Sequence, residues 1–281
     1  MRALVKPINA PPELRDIQPP APAPGVRIRP SRVGLCRTDL HVADGRIPIS
    51  APIILSHEFS GIVASNGGHF HPGDRVAVNP LYGNRFMGMH FDGALCDEII
   101  VPEKQVYRLP DSLGLREAAY LEPVAASMAV LKASIAPEQR GAVFGKNRIA
   151  ALTSIVLQTA GFKEIETLRE EVEGYYDYII ETELSDEVVP RLIRALKPGG
   201  LLVIKSRRYV PVAFPIHLMV AREVRIESVQ YVPFQEALDW LAGNTGRIAH
   251  LLGETYPLDR YEDAFAIARA SESTKTFISL D

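Results

Sequence analysis

Long hydrophobic runs are missing from this 281-residue chain. No segment approaches the roughly 20 apolar residues that a membrane-spanning helix needs, so no helical membrane anchor is expected. Cysteine is scarce: Cys36 and Cys96 are the only two, too few for a disulfide framework, and a reducing cytoplasm is the expected setting. Excess charge of either sign is also lacking. A net charge of −3 gives no electrostatic reason to expect nucleic acid or an anionic membrane as partner. The start, Met1-Arg2-Ala3-Leu4-Val5-Lys6, turns polar and proline-rich too soon to read as a signal peptide. Internal repeats and low-complexity tracts are absent as well. What remains, 47% hydrophobic and 23% charged residues, is ordinary for a globular protein, and the length holds two modest domains.

The first hundred residues read as short strands separated by Pro and Gly. Arg27-Ile28-Arg29-Pro30 leads to Arg32-Val33-Gly34-Leu35, and Gly61-Ile62-Val63-Ala64 leads to Arg75-Val76-Ala77-Val78. Such short strands with turn residues between them predict a β-rich, barrel-like domain. Past Pro110 the texture changes. A helical stretch from Leu113 to Lys132 precedes a buried strand, Gly141-Ala142-Val143-Phe144-Gly145, and an apolar helix from Ile149 to Ala160. Further strands are expected at 163–167, 176–181, 201–205 and 224–230, with a helix over 186–196. Alternating strand and helix predicts a parallel sheet with right-handed crossovers. The tail ends in another strand near Phe277-Ile278-Ser279-Leu280.

Several segments then recur in a telling order: Cys36-Arg37-Thr38-Asp39-Leu40-His41, His57-Glu58-Phe59-Ser60-Gly61, Gly73-Asp74-Arg75-Val76, Leu121-Glu122-Pro123 and Leu196-Lys197-Pro198-Gly199-Gly200. Together they resemble the zinc-dependent medium-chain dehydrogenases, such as the alcohol, polyol and threonine dehydrogenases. The resemblance implies an α/β protein with a GroES-like catalytic domain, 1–123 completed by 246–281, around a shortened Rossmann-like cofactor domain, 124–245. It also implies a homo-oligomer, a dimer through the cofactor-domain sheet. By that resemblance Cys36, His57 and Glu58 match the family's first metal ligands, and Glu122 the glutamate of its polyol branch. A thiolate, an imidazole and a carboxylate are ligands that zinc takes tetrahedrally, with one position open in a catalytic site, so one catalytic zinc per chain is expected. Thr38 and His41 match a proton relay; an imidazole with a pKa of about 6.5 both accepts and releases protons. The cysteines of a separate structural zinc are absent from the stretch Asn79 to His90. Cys96 reads as a small buried hydrophobe, and His69 and His71 as solvent-facing residues of a turn.

The cofactor half departs from the pattern. Where Gly-x-Gly-x-x-Gly should cradle a dinucleotide pyrophosphate, the sequence reads Gly145-Lys146-Asn147-Arg148-Ile149-Ala150. Asn147 places a side chain where the pyrophosphate should pass. Leu168 stands where a ribose-binding acid is expected, and Arg169 is the one residue there that favours a 2′-phosphate. The helix beginning near Arg148 is expected to hold an anion, helped by Lys146 and Arg148. From Gly145 to Asp177 the chain is about half the family's usual spacing. One edge strand and its flanking helices are expected to be missing between Arg169 and Tyr175, and the charged segment Lys163-Glu164-Ile165-Glu166-Thr167 suits an exposed edge. Three functions remain open: an NAD- or NADP-dependent oxidoreductase of a secondary alcohol or polyol, a zinc lyase, isomerase or hydrolase using Glu58 or His41 as base without a dinucleotide, and a non-catalytic binding relative. The last would bind a ligand or a partner subunit; for the enzyme readings the expected partner is a small-molecule substrate.

Overall fold

The strand Val26–Gly34 organises the first part of the chain, because Val26, Ile28 and Val33 turn inward while Arg27 and Arg29 face away. The structure, a computed structural model, describes residues 1–168 and 172–281. Against Val26–Gly34 lie Glu58–Val63 on one side and Lys275–Ser279 on the other, both antiparallel. The sheet extends through Arg75–Val78 and Val106–Arg108 at one end and Leu252–Pro257 at the other, with Ile99–Val101 also paired to the Val26 end. A smaller sheet joins Arg2–Lys6 to Glu13–Asp16 and Ile53–Ile54. Leu4, Ile28, Leu35, Leu55, Phe59 and Leu95 are fully buried in the core beneath these strands.

The chain forms two compact units, Met1–Val124 with Pro233–Asp281, and Ala125–Val232. The expected return to the first domain at 246 therefore falls earlier. The segment Phe234–Ile248 buries Phe234, Ala237, Leu238 and Leu241 along one helical face, departs from helical geometry at Asn244, and lies in the first unit on both sides of that kink.

In the second unit five strands run parallel in the order Ile165–Thr167, Gly141–Phe144, Tyr176–Glu181, Leu196–Ile204, Arg225–Ser228. Successive residues face opposite sides. Val143, Tyr178, Ile180, Leu201 and Val203 pack with Ala150 and Leu157 of the helix Arg148–Thr159. Ala142, Ile179 and Leu202 pack with Val189, Leu192 and Ile193 of the helix Val189–Ala195. A sheet covered on both faces reads as nearly continuous apolar strands, as these do. Ile165–Thr167 has a neighbour on one side only among the described residues, and its side chains are half-buried or exposed. It is the edge that its charges predicted. Among the described residues no helix is long and apolar enough to cross a membrane.

Candidate metal centre and cofactor loop

Three donor side chains converge in the first unit. One ligand atom each from Cys36, His57 and Glu58 lies within 4.8 Å of the other two. Local structure explains the convergence. Cys36 is the N-cap of the helix Arg37–Ala43, and its backbone N–H donates to Asp39 Oδ2 at 2.8 Å, the reach-back of a capping box. The other oxygen, Asp39 Oδ1, faces His57 Nδ1 at 3.5 Å. His57 Nε2 is thereby left on the Glu58 side, 3.9 Å from Oε1. A carboxylate that orients both a cysteine and a histidine is the kind of outer partner that tunes a metal site.

His57 follows Ser56, a non-glycine residue in the left-handed region at φ 74°, a conformation that costs energy and persists only where the surroundings impose it. Here they do: Ser56 is fully buried, its Oγ donates to Gly34 O at 3.1 Å, and its carbonyl accepts from Ala94 N at 3.0 Å. The Phe86 ring, on the short strand Arg85–Phe86, packs edge-on against the imidazole with centroids 4.7 Å apart. Glu58 opens the strand opposite Gly34. A Cβ on Gly34 would come within 3.0 Å of Glu58 Oε2 and 3.4 Å of the Lys275 stem, so a larger residue there would crowd the ion pair. Lys275 arrives on the neighbouring strand, pairs with Glu58 Oε2, and donates to Leu35 O at 3.0 Å.

The electrostatics are those of a buried anionic cluster. Burial disfavours the imidazolium, yet Asp39 and Cys36 outweigh it and hold His57 well above its ordinary value. Burial, and then the Glu122 carboxylate, push Glu58 upward against the pull of Lys275 and His57. The cluster favours positive charge at its centre, the demand that a divalent cation meets. His57 Nδ1 and Asp39 Oδ1 are buried against each other, and Glu58 Oε2 is held by Lys275, which leaves His57 Nε2 and the Cys36 thiol on the side of the cluster. A soft thiolate, an imidazole and a carboxylate with unspent lone pairs fit zinc. Glu122 stands outside the three-atom cluster. It is buried in the first turn of Leu121–Met128, near enough to act on Glu58. Thr38 and His41, three apart on the helix Arg37–Ala43, lie on one face and are both half-buried. Cys96 is buried, its thiol pushed up to about 12 mainly by desolvation, and His69 and His71 are exposed.

The cofactor loop has a different character. Gly145 turns at φ 135°, and a side chain there would collide with Thr182 Oγ1. Asn147 is the N-cap of Arg148–Thr159. Its Oδ1 accepts from Ile149 N at 2.9 Å and Ala150 N at 3.0 Å. Lys146 is exposed, whereas Arg148 is buried. The helix N-terminus read as an anion site therefore has two of its first donors taken by its own cap. Leu168 is buried among Ala142, Tyr176 and Ile179. Arg169 lies outside the described residues.

Residues 23–111 match the alcohol dehydrogenase GroES-like domain family. Over 96% of this chain and 93% of the other, the sequence is 28% identical to a Rhizobium meliloti (strain 1021) protein that bears the name of a D-xylulose reductase. It is 25% identical to a sorbitol dehydrogenase of Halalkalibacterium halodurans, over 99% of each chain. The fold is that of 2R,3R-butanediol dehydrogenase from Bacillus subtilis, with a TM-score of 0.89 at 21% identity over 100% of this chain and 99% of that one. In sequence and fold the chain is similar to the medium-chain dehydrogenases/reductases. It is short beside them: the alignment to the sorbitol dehydrogenase runs over 340 positions against 281 residues here, so the relative carries insertions. Of the residues around the candidate metal centre, Asp39 was visible in sequence only as a member of the cysteine motif, although its i+3 spacing from Cys36 is a capping signal. Lys275 and Phe86 carry no local signal at all, because each reaches the site from a distant part of the chain.

Proposed function

We propose that this protein is a zinc-dependent oxidoreductase acting on the hydroxyl of a secondary alcohol or polyol, and on the corresponding ketone in reverse. One observation carries the reading: Cys36, His57 and Glu58 bring thiolate, imidazole and carboxylate within 4.8 Å in a buried, anionic setting. Cys36 and His57 would hold the metal, with Glu58 or Glu122 completing the set. Zinc supplies Lewis acidity there, lowering the pKa of a bound hydroxyl toward about 7. Asp39 fixes the Cys36 backbone and the His57 ring. Lys275 holds Glu58 by one oxygen and restrains its carboxylate. Thr38 and His41, on the half-buried helix face beside Cys36, carry the released proton toward solvent. The relatives named for xylulose, sorbitol and butanediol support a vicinal diol or ketose as substrate class.

A dinucleotide as hydride partner draws support from a Sinorhizobium meliloti 1021 structure of the same fold, described as a zinc-binding dehydrogenase bound to NADP (TM-score 0.88, 23% identity, 99% of this chain and 98% of that one). The residues of this chain do not fit the usual pyrophosphate cradle, as the occupied donors at Ile149 and Ala150 indicate. That observation favours, as second reading, a metal enzyme of the same site without dinucleotide use. We read the protein as cytoplasmic on its cysteine content. We read it as a dimer through the cofactor-domain sheet, whose edge strand Arg225–Ser228 leaves Ile226 exposed. The test is direct. Zinc-loaded protein is incubated with a panel of polyols and ketoses and with NAD⁺, NADP⁺ or their reduced forms. Zinc-dependent interconversion of one polyol–ketose pair is expected. Absence of turnover across the panel in protein carrying one zinc per chain would overturn the oxidoreductase reading.

A further inference from the structure

The loop at the carboxyl end of Gly141–Phe144 is closed by more than a helix cap. Asn147 is 7% exposed, and all of its amide is used. Oδ1 takes the Ile149 and Ala150 N–H groups, the same donors that a pyrophosphate takes at a helix N-terminus. Nδ2 donates to Thr182 Oγ1 at 3.1 Å and to Glu183 Oε1 at 2.9 Å. Thr182 Oγ1 in turn donates to Phe144 O at 2.9 Å, which leaves its lone pairs facing Asn147. The Lys146 N–H also points at Glu183 Oε1, at 3.4 Å. Two segments are thus tied together, 144–147 after one strand and 182–183 after its neighbour, with a carboxylate at the knot.

A dinucleotide entering here meets two obstacles. To free the helix donors, Asn147 must leave four hydrogen bonds. The incoming phosphates then lie beside Glu183, a like charge in a partly desolvated place, where repulsion is stronger than in water. Neither obstacle exists where the second fingerprint position is glycine, which allows the backbone itself to approach the phosphates.

We propose that this chain occludes its own pyrophosphate cradle with Asn147, latched by Thr182 and Glu183, and that this latch sets its affinity for dinucleotides. The proposal rests on the oxidoreductase reading for its relevance, not for its test. Calorimetric titration of the zinc-loaded full chain with NADH and NADPH measures binding without turnover. Wild type is expected to bind either one more weakly than about 100 μM. Glu183→Ala removes the charge and one arm of the latch while leaving the cap, and about a tenfold gain is expected. Asn147→Gly/Glu183→Ala opens the cradle, and a gain of about 100-fold is expected. Wild-type binding tighter than 100 μM would overturn the proposal. So would a double variant that gains less than tenfold or still shows no binding, which would place the loss elsewhere in the shortened cofactor domain. Should the double variant fail to fold, Glu183→Ala decides alone: a threefold or larger gain supports the latch, and no gain removes it. Zinc content and polyol turnover, read on wild type, report on the proposed function separately, so either reading can fail without the other.

Discussion

The metal centre and the cofactor loop are both built from polar residues packed out of water, and they handle those residues in opposite ways. Around Cys36 the ligating atoms face one another: Cys36, His57 and Glu58 each bring one within 4.8 Å of the other two. Around Asn147 both ends of the amide are satisfied, and the helix donors with them. Crowding a thiol, an imidazole and a carboxylate together out of water is costly unless a cation or hydrogen bonds offset it, so such a cluster suits a ligand that completes it. A loop that satisfies its groups internally has no such demand. The contrast separates a cluster suited to a ligand from a loop whose polar groups are spent on structure.

The sharpest way to break this comparison is to remove the thiolate. Cys36→Ser should reduce zinc affinity at least ~1,000-fold, about 4 kcal/mol, by competition with a chelator. Glu122→Gln should lose far less where Glu58 completes the set, because Glu122 stands outside the three-atom cluster. Equal losses in the two variants would make Glu122 the completing ligand instead. Next in size is the buried ion pair. Glu58 and Lys275 each have side chains only 1% exposed. Lys275→Met leaves a carboxylate without its partner, and removing one member of a buried pair costs about 3 kcal/mol. Denaturant unfolding of metal-free protein measures it. The double variant Lys275→Met/Glu58→Gln should recover most of the loss, and failure to recover would assign Lys275 a packing role only.

Much of the fold was legible in sequence for identifiable reasons. The apolar runs at 141–144, 176–181 and 201–204 form a sheet covered on both faces, and such strands announce themselves by continuity. Lys163 to Thr167 was legible as an edge because its charges have no other use in a sheet, and it is the terminal strand. The convergence of the candidate donors was legible because Cys36 and His57-Glu58 sit in local motifs. Lys275 was not legible, since only the pairing of Lys275–Ser279 with Val26–Gly34 brings it to Glu58. Asn147 was read as an obstacle to a pyrophosphate, but what its amide holds could not be read. Its partners Thr182 and Glu183 come from the next strand of the sheet, and nothing in their spacing announces a latch. The return point at Pro233 escaped for a similar reason, because the helix Phe234–Ile248 looks the same in sequence whichever unit it packs on.

Asp39 tests whether the centre depends on orientation as well as on ligands. Asp39→Asn keeps the size of the side chain and one acceptor for the Cys36 N–H, while removing the charge that faces His57 Nδ1. Partners of this kind change metal affinity about 10- to 100-fold. The expected result is that loss with an unchanged far-ultraviolet spectrum. Zinc affinity equal to wild type would reduce Asp39 to a helix cap.

The smallest effect belongs to the satisfied loop. Asn147→Ala removes the cap of Arg148–Thr159 and should cost about 1 kcal/mol in denaturant unfolding, as helix caps do. Zinc content should not move, because no residue of the metal cluster touches Asn147 through a hydrogen bond. The pairing of outcomes is what matters. A stability loss with zinc retained is what a structural amide gives, and a loss of zinc on the same substitution would mean that the two regions are coupled and the contrast between them is false.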